Sequence, residues 1–345
     1  MGKSKVVLYG AFKAMGDFLS AAPVIKSELS SGSQVVLLIF PNLRGFIDLI
    51  DFGAGRDKLR IVPLPVSGLS SFRMFFRSMA SISPDLIWIS PHAPGPASSW
   101  KIPLLLWLSK RVYWPRATMA GVASERMSRL FDVRVPADRL LPFADREWTA
   151  YSLLSGQEPI SRPLPITFKQ SIHAPRREQP AYDLLIHPGA GAANRKWPFT
   201  HYPELIAHIP RSYSIAVLGL PEDIAGMKQV LPVDREIRYI SGTIEESITA
   251  IARARVALTM DSGNMFFANV LGVPTVSIFG ASNPANVIGI GGVVSPTYEQ
   301  RLSCQPCGRP KCIHDVPYCI TSISPVRVAE ELLRLLQQHV QELPY

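Results

Sequence analysis

The sequence predicts an α/β protein made of two similar halves, each built around a mostly parallel sheet. Three observations carry this prediction. Short apolar runs of strand length alternate with helix-period patterns. The alternation stops in a proline-rich stretch and then restarts. The 31 prolines in 345 residues favour many short, sharply ended elements over a helical bundle.

In the first half, residues 6–9 read as a strand, 10–16 as a turn and 17–29 as a helix in which Pro23 predicts a kink. Further strands are expected at 34–40, 59–62, 86–89 and 111–114. Helices are expected near 70–81, 100–109 and 137–154. Residues 161–180 hold four prolines and read as an interdomain connection, with a short strand at 166–168. Strands then recur at 184–187, 215–218, 238–240, 256–260 and 275–279. Helical patterns fall between them, and an amphipathic helix follows at 325–340. The expected organisation is two Rossmann-like domains, 1–162 and 181–324, facing a central cleft, with a linker at 163–180 and a terminal helix at 325–345.

Composition narrows the function classes. With 47% apolar and 18% charged residues the chain is ordinary globular protein, long enough for two cores. The start, MGKSKVVLYG, runs straight into a strand, and no apolar run reaches the length needed to span a bilayer, so a cytoplasmic protein is expected. A net charge of +9 favours an anionic partner. The basic residues are dispersed and no nucleic-acid-binding motif is present, which argues against nucleic acid.

Four constellations could carry chemistry. In the loop at 10–17, Lys13 and Asp17 fall at a helix start. Asp17 could cap that helix, or act as a carboxylate base whose charged form a helix amino terminus favours. The glycine spacing there is not the dinucleotide fingerprint. The second is 187–198, HPGAGAANRKWP, where glycines would let amides approach a phosphate and Arg195 and Lys196 would neutralise a diphosphate. His187, at a strand end, reads equally well as a core histidine. The third is Asp261, Ser262, Gly263 and Asn264, between a strand and a helix. That turn is either a helix cap or an anion seat at the carboxyl edge of a sheet. The fourth is Cys304, Cys307, Cys312 and Cys319, all the cysteines of the chain within sixteen residues. Four thiolates suit tetrahedral zinc, although the spacing is not that of a zinc ribbon, and chance clustering or reversible disulfides are the alternatives.

Two aromatic and basic stretches complete the reading. Phe72, Phe75 and Phe76 accompany Arg73 and Arg77, and Trp100 and Trp107 lie among Lys101 and Lys110. They are either sheet-packing helix faces or a surface resting on an anionic membrane.

The order of these motifs resembles the bacterial heptosyltransferases, glycosyltransferase family 9. The resemblance lies in Met15-Gly16-Asp17, in His187 to Ala190 with Arg195 to Pro198, in Asp261-Ser262-Gly263 followed by LGVPTVSIFGASNP, and in the late cysteines before Ile323 to Val328. It implies a GT-B fold and an inverting, metal-independent glycosyltransferase. Such an enzyme moves a sugar, usually heptose from ADP-heptose, onto a lipid-linked lipopolysaccharide core, at the cytoplasmic face of the inner membrane. Residues 1–162 would then bind the acceptor and 181–324 the nucleotide sugar. Asp17 would be the base. Arg195, Lys196, Ser262, Gly263 and Asn264 would hold the diphosphate, Asp261 would order the turn or touch donor hydroxyls, and Glu222 would meet the ribose. No cofactor is implied for catalysis. One departure is Phe266, where the family has His. It opens the alternative of a nucleotide-sugar-binding protein without turnover, beside a nucleotide-sugar epimerase or hydrolase of the same fold.

Overall fold

The computed structural model describes residues 4–12, 14–65, 69–90, 101–123, 127–136, 141–155, 166–173, 180–287, 294–298, 302–309 and 311–341. The chain divides into two compact units, Met1–Thr167 and Phe168–Tyr345.

Unit 1 has strands β1 (Val6–Phe12), β2 (Gln34–Ile39), β4 (Leu59–Pro63), β5 (Leu86–Ile89), β6 (Thr118–Val122) and β7 (Val133–Val135) in one six-stranded sheet. Its order is β4-β2-β1-β5-β6-β7 and every pair is parallel. Helices α1 (Met15–Ser30), α2 (Arg44–Ile47), α3 (Leu69–Ala80), α4 (Lys101–Tyr113) and α5 (Phe143–Ser155) accompany it. The two-residue strands β3 (Ile50–Asp51) and β8 (Thr167–Phe168) lie outside both main sheets.

Unit 2 repeats the plan. Strands β9 (Tyr182–His187), β10 (Ile215–Leu218), β11 (Ile237–Ile240), β12 (Ala254–Met260), β13 (Thr275–Phe279) and β14 (Val294–Tyr298) form a parallel sheet of order β11-β10-β9-β12-β13-β14. Its helices are α6 (Gln170–His173), α7 (Tyr202–His208), α8 (Pro221–Val230), α9 (Ile244–Ala252), α10 (Gly263–Leu271), α11 (Pro284–Val287), α12 (Tyr318–Thr321) and α13 (Pro325–Gln341). Counted within each unit, both sheets run 3-2-1-4-5-6, the Rossmann order, whose switch point lies between the first and fourth strands. The expected α/β class with two Rossmann-like halves is therefore the observed one.

The strand cores read as near-continuous apolar runs because parallel strands are covered on both faces. All of residues 35–39 and 256–260 are buried. One strand expectation fails. Residues 111–114 do not form a strand: α4 continues through Tyr113, and buried Trp114 donates its indole N–H to the carbonyls of Met79 and Ile82. Helix α1 runs through buried Pro23 as one element. The predicted helix at 137–154 is shorter, beginning at Phe143, and its residues 137–140 lie outside the described residues.

One polar cluster sits inside unit 1. Glu147 of α5 is fully buried and its two oxygens accept from Trp88 Nε1 and Ser90 Oγ, each at 2.7 Å. Trp88 meets Tyr151 edge-on, and Tyr151 stacks against Tyr9. The Tyr151 hydroxyl donates to Glu28, which also accepts from Lys5. Burial pushes the Glu147 carboxyl up to about 7, against the pull of the two donors.

Candidate functional site

The switch point of unit 2 lies where β9 and β12 pair, with Thr259 opposite His187. Beyond the carboxyl ends of these strands come the basic loop 187–198 and the turn 261–264. The loop is pinned at its far end by Trp197, only 1% exposed, whose indole donates to the Ile323 carbonyl and whose ring meets Tyr202 at 5.0 Å. Midway, Asn194 Nδ2 donates to the Arg309 carbonyl. Anchors on both sides fix the short 3-10 turn Ala193–Arg195, and with it the start of the Arg195 side chain.

Arg195 Nε lies 3.5 Å from Asp261 Oδ2. Asp261 is buried and also accepts from Ser282 Oγ at 2.5 Å, while its backbone N–H donates to the Ile278 carbonyl. Ser262 holds the N-cap position of α10 in extended conformation, yet its side chain makes no capping bond. The Ser262 hydroxyl is buried with no hydrogen-bond partner among the described residues, and so are Arg195 Nε, Asn194 Oδ1 and His187 Nδ1. Buried polar atoms are normally paired; Arg195 Nε has the Asp261 carboxylate as its ionic neighbour, whereas the Ser262 hydroxyl has no partner among the described residues. Gly263 and Asn264 open α10, so their amides lie in a first turn where the helix itself supplies no acceptors. The Ser262 side chain therefore does not cap α10.

Lys196 is placed differently. Its Nζ pairs with Asp223 Oδ1 at 2.8 Å, and that carboxylate is 3% exposed. Gly189 and Gly219 crowd it: a Cβ on Gly189 would lie 2.6 Å from Asp223 Oδ2, and one on Gly219 3.1 Å from Asp223 Cβ. Burial pushes His187 down to about 4, with Asp223 opposing and Lys196 reinforcing the shift, so the imidazole is neutral at pH 7. Asp223 is the residue that sequence reading missed. It follows Glu222 in the first turn of α8, and of the two adjacent acids the structure turns Asp223 inward and leaves Glu222 exposed. Lys196→Ala should cost about 2 kcal/mol, below the value for a fully buried pair because the lysine is a third exposed. Chemical denaturation would read it as a lower midpoint, and Asp223→Asn in the same background should recover part of the loss.

Asp17 lies in unit 1, in the first turn of α1 rather than at its N-cap, which is Ala14. It follows β1, the switch-point strand of that sheet. Lys13 lies outside the described residues. Phe266 is buried within α10 and packs with the core.

The cysteine expectation is corrected. Among the described residues no group of three or more His, Cys, Asp or Glu side chains is arranged to hold a metal, and Cys304, Cys307, Cys312 and Cys319 are all free thiols. Their segment is held by other contacts. Gln305 Nε2 donates to the Gly280 carbonyl at 2.6 Å and the Gly308 N–H to that of Ala281 at 2.9 Å, which leaves Cys307 exposed. Cys319 is instead buried in α12, packed at the Gly280 backbone. The cysteine segment thus drapes beside the end of β13 and touches loop 187–198 through Asn194.

Two Rossmann units of this order are the parts of the GT-B fold. Residues 164–315 match the sequence profile of Glycosyltransferase family 9 (heptosyltransferase). Lipopolysaccharide heptosyltransferase 2 of Salmonella typhimurium is 30% identical over 170 residues, covering 44% of this chain and 46% of that protein. The chain spans about half the length of the curated relatives it matches. Among solved structures, E. coli ADP-heptose lps heptosyltransferase II superposes with a TM-score of 0.69 at 18% identity, over 97% of this chain and 99% of that one. A glycosyl transferase family 9 protein from Veillonella parvula gives the same TM-score at 16% identity, over 97% of each chain. At these identities the structural likeness speaks for the fold.

Proposed function

We propose that the protein is an inverting, metal-independent glycosyltransferase that moves a heptose from ADP-heptose to a lipopolysaccharide core or related lipid-linked glycan. The observation that carries the reading is the turn of unit 2, where Arg195 faces Asp261 beside the unpaired Ser262 hydroxyl and the amino terminus of α10. The match of the same segment to the Glycosyltransferase family 9 profile supports it. In this reading the acceptor oxygen attacks the anomeric carbon and gives its proton to the Asp17 carboxylate. The bond from the anomeric carbon to the diphosphate oxygen breaks, and ADP leaves. Arg195, the Gly263 and Asn264 amides and the Ser262 hydroxyl receive the departing charge, a task that cations and a helix terminus can perform without a divalent ion. Lys196 contributes through its hold on Asp223, and Glu222, exposed on α8, contacts the nucleoside ribose. The enzyme works at the cytoplasmic face, in peripheral contact with an anionic inner membrane.

Phe266 favours one other reading, a nucleotide-sugar-binding protein without turnover, because a buried phenyl ring supplies no donor to sugar or phosphate. Incubation with ADP-heptose, a lipopolysaccharide core acceptor and EDTA separates the two. Transfer with inversion at the anomeric carbon is expected. Donor binding without transfer would leave the binding protein, and donor consumption without acceptor would indicate a hydrolase or epimerase. Arg195→Ala should weaken ADP binding by roughly 10- to 100-fold, the size of a lost charged hydrogen bond. Unchanged affinity in calorimetric titration would remove Arg195 from the site.

A further inference from the structure

Helices α3 and α4 pack their inner faces on one core, through Phe75 and Met79 of α3 and Ile102 and Leu106 of α4. Their outer faces are also apolar. Phe72, Met74 and Phe76 of α3 and Leu108, Val112 and Tyr113 of α4 are exposed, Met74 by 66% and Val112 by 70%. These two helices hold six of the thirteen large apolar side chains exposed among the described residues, a concentration that isolated surface hydrophobics do not produce. Cations alternate with them. Phe72 and Phe76 are one helical turn apart, and Arg73 and Arg77 form the adjoining row. On α4, exposed Arg111 lies over the Trp107 ring at 4.8 Å, beside Val112. Arg116 follows, also exposed.

Acidic residues are scarce here: Asp132 pairs with Lys110 of α4, and among the described residues no carboxylate is paired with Arg73, Arg77 or Arg111. From Leu69 to Arg116 the sequence has six Lys and Arg and a single acid, Asp85. Asp85 is engaged elsewhere, accepting from the Val6 N–H. Among the described residues no helix is long and apolar enough to cross a membrane, so this face can lie on a bilayer and not through it.

We infer that the outer face of α3 and α4 is a docking surface for an anionic phospholipid bilayer. The apolar side chains enter the headgroup–acyl boundary and the arginines pair with lipid phosphates. The combination fits this occupant because an apolar row flanked by cations, with carboxylates few, matches a surface that is greasy beneath and negative above. The inference rests on the membrane-contact part of the function proposed above and is independent of the transfer chemistry.

Co-sedimentation of the full chain with vesicles tests it. Binding is expected to equimolar phosphatidylglycerol–phosphatidylcholine vesicles, with at least about tenfold less to pure phosphatidylcholine and a marked loss near about 0.5 M salt. Met74→Asp with Val112→Asp, and separately Arg73→Glu with Arg77→Glu, should each lower vesicle binding about tenfold or more. Transfer to a soluble, lipid-free core acceptor should stay at the wild-type level in both variants, which also reports that they fold. Equal binding to neutral and anionic vesicles, or unchanged binding by the variants, would overturn the inference. So would a concentration-dependent dimer in gel filtration that Val112→Asp abolishes while vesicles are not bound, since the face would then meet a second copy. Absent transfer with intact, lipid-selective binding would strike the proposed function alone.

Discussion

Replacing Asp17 with Asn should lower transfer by about 10²–10⁴-fold, the usual contribution of a positioned general base, while ADP binding stays within about twofold. The carboxylate stands in the first turn of α1, next to Phe18, which is fully buried. Phe18 meets Phe12, Phe46 and Phe52 edge-on, so α1 is held rigidly where it leaves β1. A base on such a mount needs little reorganisation to meet an acceptor hydroxyl. Asn keeps the size of the side chain and removes its capacity to take a proton, so the fold should be unaffected. The residues assigned to the diphosphate belong to unit 2, which is why donor affinity should survive. Single-turnover rates with a core acceptor and calorimetric titration with ADP give the two halves of the result. Retained transfer with lost ADP affinity would move Asp17 from base to donor ligand.

The frame of both units could be read from the sequence because buried parallel strands are near-continuous apolar runs, as in VVLLI at 35–39. Strand β6, TMAGV, escaped notice because Gly121 and Ala120 weaken its signal. Gly121 is there because a Cβ would strike the Phe131 ring, a contact no local pattern reveals. The neighbouring RVYW at 111–114 has the composition of a strand, but tertiary anchoring of Trp114 on α3 and its following turn makes it the end of α4. At the site, turn 261–264 and loop 187–198 could be located from glycines and charge. Whether Ser262 caps α10 or stays unpaired depends on a hydroxyl orientation that composition does not encode. Asp223 was hidden for a related reason: two consecutive acids at a helix start differ only in which one the fold turns inward. The cysteines show the converse: they stay near enough that Cys312, Cys307 and Cys304 add to burial in raising the Cys319 thiol, yet among the described residues no three of them are arranged as a metal ligand set.

The buried groups that spacing could not reveal give the two units opposite responses to pH. Glu147 in unit 1 titrates near 7 when folded, above its ordinary value of 4.5. The stability tied to its proton is fully present below pH 4.5 and is lost as pH rises through 7, a change of roughly 3 kcal/mol. His187 in unit 2 titrates near 4 when folded, below its ordinary 6.5. Its share is present above pH 6.5 and is lost as pH falls through 4, again by roughly 3 kcal/mol. Glu147→Gln should therefore stabilise unit 1 at pH 8 and change little at pH 5. Trp88 can still donate to the amide oxygen, and the Ser90 hydroxyl can turn to accept from the amide nitrogen, so no buried atom is stranded. For a unit of this size the gain corresponds to about 6–12 °C in the affected melting transition at pH 8. His187→Gln should flatten the acid side of the other transition between pH 6.5 and 4. Differential scanning calorimetry across pH 4–9 would show both. A fall in melting temperature for Glu147→Gln at pH 8 would mean that the ionised carboxylate, with Trp88 and Ser90 both donating to it, is the form the core is built to hold.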